Sequence, residues 1–352
     1  MKNKAREILL PPDPTIFRTV FLYVGQGDCT LMIVPSGGKQ QFVLMDTHEG
    51  KEAGGIDIVK LLKDLLDGEL DAFINTHPHS DHLNGIEAIY KATGIGEIWH
   101  SGHVPGKDHR EGYDQLLRVM KKIGTDNTYE LRGTRQENTV DHESAACEHP
   151  IGDITYNILS PAQYVKDEIE DEIAETRYRR IHEQCGVLRF LYGRTPTAIL
   201  HTGDSDRTAW DDNKIAEYHK DRIAASVLSA SHHGSRSFFK KDEDDENPYT
   251  AHMDQIKPSY VVISAPKQTE SKHGHPHDDA IKLYERYVDQ ANILHLGKNR
   301  ECVIVDIDAS GEITITLDKE LVKAYGFGKD SNGDPNKYAG ITVTKLDDKP
   351  MG

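Results

Sequence analysis

Nowhere in the 352 residues does an apolar run reach the roughly 18 that a membrane-spanning helix needs. Hydrophobic residues make up only 37% of the chain, so no membrane segment is expected. The first 14 residues carry Lys2, Lys4 and Arg6, but only Ile8-Leu9-Leu10 follows before two prolines, which is no signal-peptide core. Cysteine is scarce. Cys29, Cys147, Cys185 and Cys302 lie far apart with no CxxC pair, which argues against a disulfide scaffold and against a thiolate zinc site. A reduced, cytoplasmic protein is the expectation, with Cys185 a small buried hydrophobe. Positive charge is also short: 42 Lys and Arg against 58 Asp and Glu leave a net charge of −16. That excludes a large, uniformly basic nucleic-acid surface and leaves room only for a local basic groove.

Histidine is what the chain has in quantity. Eight of its 19 histidines cluster at 77–82, 232–233 and 273–277, and imidazole is the side chain most used for metal binding and proton transfer near neutral pH. Around these clusters, β-rich stretches at 17–23, 30–34, 41–45, 72–74 and 95–99 are read as strands. A second set follows at 154–159, 186–192, 197–200, 226–230, 260–264, 293–296, 302–307 and 313–317. Three-to-four apolar spacing predicts helices over 56–66, 83–90 and 279–288. The pattern points to an α/β fold in which two sheets pack face to face between helices. The charge-rich stretches at about 104–149, 163–180 and 240–258 are read as surface insertions on a single 1–317 domain, and 318–352 as a C-terminal extension.

The sharpest signal is Thr76-His77-Pro78-His79-Ser80-Asp81-His82, an HxHxDH run directly after the short strand at 72–74. Two imidazoles, His77 and His79, suit one borderline metal ion. A carboxylate and an imidazole, Asp81 and His82, suit a second close by.

With this run the chain resembles the metallo-β-lactamase superfamily of αββα metallohydrolases, most closely the hydrolase domain of the DNA-uptake protein ComEC. The stretches that carry the resemblance are Val24-Gly25-Gln26-Gly27-Asp28-Cys29, Leu44-Met45-Asp46-Thr47, the HPHSDH run and Val187-Leu188-Arg189-Phe190. Thr202-Gly203-Asp204, Ser231-His232-His233-Gly234-Ser235 and Gly274-His275-Pro276 complete it, in the family's order over about residues 18–317. The resemblance implies a four-layer αββα sandwich with two divalent metal ions, zinc the first choice and manganese or iron the alternatives. It implies that Asp204 bridges the two ions, and that His233 is the last ligand of the second with His232 the alternative. The remaining ligand of the first falls to His182, 22 residues before Asp204, with His100 and His103 as rivals. Asp46 is expected to orient a ligating imidazole from behind, and His232 to support the site if it is not a ligand. His275 is expected to act as a general acid beside the leaving oxygen, and Asp81 to serve the chemistry as well as the metal. Gly25 and Gly27 are read as a tight turn that Asp28 hydrogen-bonds.

Two dications sharing a carboxylate lower the pKa of bridging water toward about 7, which gives a hydroxide nucleophile at neutral pH. The leading expectation is therefore a soluble dinuclear phosphodiesterase or nuclease. A small-molecule hydrolase acting on a lactone, an ester or a nucleotide-derived signal is the alternative, and a non-catalytic partner protein of the same fold comes third. Arg236 and Lys240, beside Lys241, Phe238 and Phe239, are the candidate phosphate-holding and base-stacking groups, and Arg177, Arg179 and Arg180 a second basic strip. A nucleic acid or other phosphodiester is the expected partner, a protein partner is allowed for, and the oligomeric state is open.

Overall fold

Near-continuous apolar stretches become strands covered on both faces: all five residues of the first strand, FRTVF, are buried. The computed structural model describes residues 2–133, 149–220 and 222–328. In chain order the strands are β1 Phe17–Phe21, β2 Thr30–Ser36, β3 Lys39–Met45, β4 Leu70–Asn75, β5 Ile95–His100, β6 Thr128–Glu130 and β7 Thr155–Ser160. Then come β8 Val187–Tyr192, β9 Thr197–His201, β10 Val227–Ser229, β11 Tyr260–Ile263, β12 Ile293–His295, β13 Cys302–Ile307 and β14 Ile313–Asp318.

They form an eight-stranded sheet ordered β14-β13-β1-β2-β3-β4-β5-β6 and a six-stranded sheet ordered β12-β11-β10-β9-β8-β7. Each sheet is antiparallel at one end and parallel at the other. β3, β4 and β5 run parallel in the first sheet, and β9, β10 and β11 in the second. Their carboxyl ends therefore gather on one edge of each sheet, where open α/β sheets place their ligands. One core cluster interleaves Val20, Leu31 and Leu44 of the first sheet with Leu188, Phe190 and Ile199 of the second, so the sheets pack face to face. Helices cover the outer faces. Helix Ile58–Leu65, capped by Asp57 accepting from Lys60 N, buries Ile58, Leu61, Leu62 and Leu65. Behind the second sheet, Leu228 and Val261 pack with Trp210, Phe238, Met253 and Tyr284. The result is the expected αββα sandwich.

Differences from the sequence reading are local. The helix expected over 83–90 is split into Ser80–Leu83 and Ile86–Thr93, because Gly85 sits between them at φ 98°. Within 104–149, helix Arg110–Ile123 buries Leu116 and Val119, and β6 extends the first sheet. Residues 134–148 of that stretch lie outside the described residues, as does most of the 318–352 extension. Helix Glu320–Tyr325, before that point, buries Leu321, Val322 and Tyr325.

One core histidine makes a prediction of its own. His252 is fully buried against Trp210, Phe238, Phe239 and Tyr249, and neither ring nitrogen has a hydrogen-bond partner. Burial lowers its pKa from 6.5 to about 3. The unfolded chain thus binds a proton between these values that the folded one refuses, and stability is lost as pH falls below 6.5. His252→Phe is expected to remove that contribution. Relative to the wild type, it should gain about 2 kcal/mol on going from pH 8 to pH 5. Denaturant melts at the two pH values measure this, and an unchanged difference would reject it.

Candidate metal centre

The candidate ligands arrive on the carboxyl ends of the parallel strands. β4 leads into Thr76 and the HPHSDH run, β9 into Thr202-Gly203-Asp204, and β10 into Ser231-His232-His233. Close backbone approach decides two glycines. A Cβ on Gly27 (φ 149°) would lie 2.5 Å from the Asp81 carbonyl oxygen, and one on Gly203 (φ 47°) 2.6 Å from Cys185 Sγ. Side chains there would force the turns away from the site. Six described non-glycine residues take positive φ, and three of them, Asp46, His232 and His233, belong to this centre. Such strain, about 1–3 kcal/mol each, persists where the surroundings over-determine it, typically at functional sites.

Asp204 lies at the middle, 1% exposed. Its Oδ2 is 3.5 Å from His77 Nε2, 3.6 Å from His232 Nε2 and 3.9 Å from His182 Nε2. Its Oδ1 is 3.2 Å from His82 Nε2 and 3.7 Å from His233 Nε2. Asp81 Oδ2 stands 3.3 Å from the same His233 nitrogen. Two groups of ligand atoms result, each with all atoms within 4.8 Å of one another: His77, His79, His182 and Asp204; and Asp28, His82, Asp204 and His233.

The far side of each ring is held. His82 Nδ1 donates to Asp46 Oδ2 at 2.7 Å, and His233 Nδ1 donates to the Ser264 carbonyl at 3.0 Å. Asp46 also accepts from Thr76 N, Thr76 Oγ1 and Asn75 Nδ2. With Nδ1 protonated, each Nε2 presents a lone pair to the centre. His77 Nε2, His82 Nε2, His182 Nε2, His233 Nε2 and Asp204 Oδ1 are all buried with no hydrogen-bond partner. A buried polar atom left unmade costs about 1–3 kcal/mol. Five such atoms converging on one point fit divalent cations, and the nitrogen and carboxylate donors fit zinc-like ions.

The charges agree. Burial takes the His77 pKa down to about 3, and burial with neighbouring His77 lowers that of His79. Both rings are neutral and able to donate a lone pair. Burial also works against charge on His82 and His233, but Asp204 with Asp46 for the one, and Asp204 with Asp28 for the other, outweigh it and raise them. The Asp204 carboxyl, raised by burial, is pulled well below its usual range by His82, His232, His233 and His77.

Several expected residues are placed otherwise. His182 comes to Asp204, whereas His100 Nδ1 accepts from Gly102 N, His103 Nδ1 donates to Gln184 Oε1, and neither belongs to the two ligand groups. Cys185 is buried behind His77, 3.6 Å from Nδ1, and its sulfur accepts from Asp204 N. Arg236 and Lys240, the expected phosphate-holding groups, are placed beside carboxylates: Arg236 pairs with Glu243 and Asp279, Lys240 with Asp279, and neither lines the pocket over the centre. Phe238 and Phe239 are 0% exposed and have no face to stack on a base. Arg180 is likewise neutralised by Glu168, Glu172 and Glu183.

The pocket over Asp204 has a volume of about 350 Å³. His275 reaches it, 5% exposed, with its pKa lowered to about 3 chiefly by burial and then by His233. Two residues were missed. Asp28, read as a turn residue, joins the second ligand group, and His233 Nδ1 is 3.5 Å from its carboxylate. His109 stacks on His79 with ring centroids 4.0 Å apart and accepts from Ser80 N through Nδ1. The GQGD turn itself was the available signal for Asp28. His109 lies in a charge-rich stretch with no motif.

The metallo-beta-lactamase superfamily model matches residues 22–203. Among solved structures, the chain is similar to a diphosphatase from the PhnP family, at 10% identity over 86% of this chain and 99% of that one, with a TM-score of 0.40. It is similar to Igni18, a metallo hydrolase from the archaeon Ignicoccus hospitalis, at 10% identity over 86% and 99%, with a TM-score of 0.43. It is also similar to CmlA, a diiron β-hydroxylase from Streptomyces venezuelae, at 14% identity over 81% of this chain and 53% of that one, with a TM-score of 0.42. No curated protein sequence matches the chain. Likenesses at these values carry nothing about activity.

Proposed function

The chain belongs to the metallo-β-lactamase superfamily, and from that premise we propose that it is a dinuclear metal-dependent phosphodiesterase. The observation that carries the hydrolase reading is the convergence of four buried, unpartnered imidazole nitrogens on Asp204, whose own Oδ1 is likewise buried without a partner. His77, His79, His182 and Asp204 would hold one ion, and Asp81, His82, His233 and Asp204, with Asp28 beside them, the second. Bound there, divalent ions supply Lewis acidity and ease the loss of a proton from water. The protein's own groups do the rest. Asp46 and Ser264 hold the His82 and His233 rings in one tautomer, and His275 offers hydrogen-bonding capacity to the scissile group.

The phosphodiester preference rests on the motif likeness to the ComEC hydrolase domain. A second reading, a small phosphodiester rather than a nucleic-acid polymer, is favoured by the pairing of Arg236, Lys240 and Arg180 with carboxylates and by the net charge of −16. The test is a panel of single- and double-stranded DNA and RNA, bis(p-nitrophenyl) phosphate and a lactone, run with Zn²⁺ or Mn²⁺. Turnover of the small diester with slow or no cutting of polymers is expected. Hydrolysis of the lactone alone would reject the phosphodiesterase reading.

A further inference from the structure

The tautomer of His275 can be worked out from donors whose hydrogens are not in doubt. The backbone N–H groups of His273 and His275 both donate to Ser271 Oγ, at 3.2 and 3.1 Å. A hydroxyl that accepts twice has only its hydrogen left to give. That hydrogen goes to Gln26 Oε1 at 2.8 Å. The Gln26 amide is thereby oriented, so the group 3.3 Å from His275 Nδ1 is its NH₂, a donor. Nδ1 must then be the bare nitrogen, and the ring's one proton sits on Nε2. Gln26 belongs to the GQGD turn between β1 and β2, more than 200 residues away from His275 in sequence.

We propose that Gln26 is a positioning residue which, through Ser271, fixes His275 as the Nε2–H tautomer, so that the ring faces the pocket as a neutral hydrogen-bond donor. This rests on the phosphodiesterase reading for its chemistry. A ring whose Nδ1 is occupied by an incoming N–H has no second proton to deliver. It stabilises an oxygen that gains negative charge by donating a hydrogen bond, and no proton leaves the ring. The substrate it suits carries an acceptor oxygen on the scissile group, as a phosphoryl does. Ser271 and Gln26 also tie the Gly274-His275-Pro276 loop to the GQGD turn, which joins two motifs that have no local reason to meet.

The experiment reads the tautomer directly. The full-length, zinc-loaded protein is labelled with ¹⁵N-histidine, and the His275 nitrogens are assigned by their loss in His275→Ala. The wild type is expected to show a protonated Nε2 and a bare Nδ1. In Gln26→Glu the carboxylate only accepts, so Nδ1 is expected to become protonated. Ser271→Ala, which frees the Gln26 amide to flip, should give a mixture. With bis(p-nitrophenyl) phosphate, Gln26→Glu is expected to lower kcat by roughly 10–100-fold with KM nearly unchanged, the size of effect seen when an orienting partner is lost. A wild-type Nδ1–H tautomer, or a Gln26→Glu variant that folds, holds zinc and keeps the wild-type tautomer, would overturn the proposal. If the wild type cleaves no phosphodiester but shows the expected tautomer, the substrate reading fails and the positioning role stands.

Discussion

Asp204→Asn is expected to leave a folded protein that no longer holds two metal ions and has lost nearly all activity. The substitution keeps the shape of the side chain and removes its charge. Five imidazoles, those of His77, His82, His182, His232 and His233, stand within 3.9 Å of this one carboxylate. It belongs to both candidate ligand groups, so neutralising it weakens both together. A shared carboxylate also offsets the repulsion between two cations about 3.5–4 Å apart. The loss in kcat should therefore exceed the roughly 10–100-fold that follows removal of an outer partner. Elemental analysis and turnover of a phosphodiester are the measurements. A variant with full metal content and wild-type turnover would show that Asp204 is not a shared ligand.

A second large effect is expected at Asp46, which does not line the pocket. Asp46 is 1% exposed and serves four donors: Thr76 N, Thr76 Oγ1, Asn75 Nδ2 and His82 Nδ1. Burial raises its pKa while His82 and Thr76 pull the other way. Asp46→Ala would take the buried acceptor from Thr76 and His82, leaving Asn75 Nδ2 only the His77 and His82 carbonyls, and breaking a buried pair of this kind costs about 3–5 kcal/mol. A marked fall in Tm is expected. Asp46→Asn separates stability from chemistry. Its Oδ1 still accepts from Thr76 N, but its NH₂ meets His82 Nδ1 and forces the His82 proton onto Nε2, the nitrogen that faces Asp204. That variant should melt close to the wild type yet bind metal about 10–100-fold more weakly. Equal metal affinity in Asp46→Asn would show that His82 does not depend on Asp46 for its tautomer.

These two residues differ in how well they can be read from the chain. Asp204 is legible as the end of a Thr-Gly-Asp turn after an apolar strand, and Asp46 as the residue closing another. What Asp46 does depends on β3 and β4 lying side by side with Met45 opposite Ile74, which brings its carboxylate to the Thr76 amide. The choice among His182, His100 and His103 could not be made from spacing, because all three follow or precede strands in loops. In the fold, the imidazole that comes to Asp204 is that of His182, while His100 and His103 bond elsewhere through Nδ1.

The cationic strip shows the opposite case. Arg236, Phe238, Phe239 and Lys240 form an inviting local pattern in the sequence. The fold brings Asp279, some 40 residues on, against both cations, and packs Tyr284 and His252 over the two rings. By itself, the sequence determined the strand and helix periods, the order of the motifs and the kinds of ligand atom on offer, because each depends on a few neighbouring residues. The tertiary structure alone decided which imidazoles share Asp204, that Asp28 joins them, and which charges are cancelled. Burial, tautomer and charge compensation are set by groups distant in the chain and close in space, where a low dielectric makes every unpaired atom count.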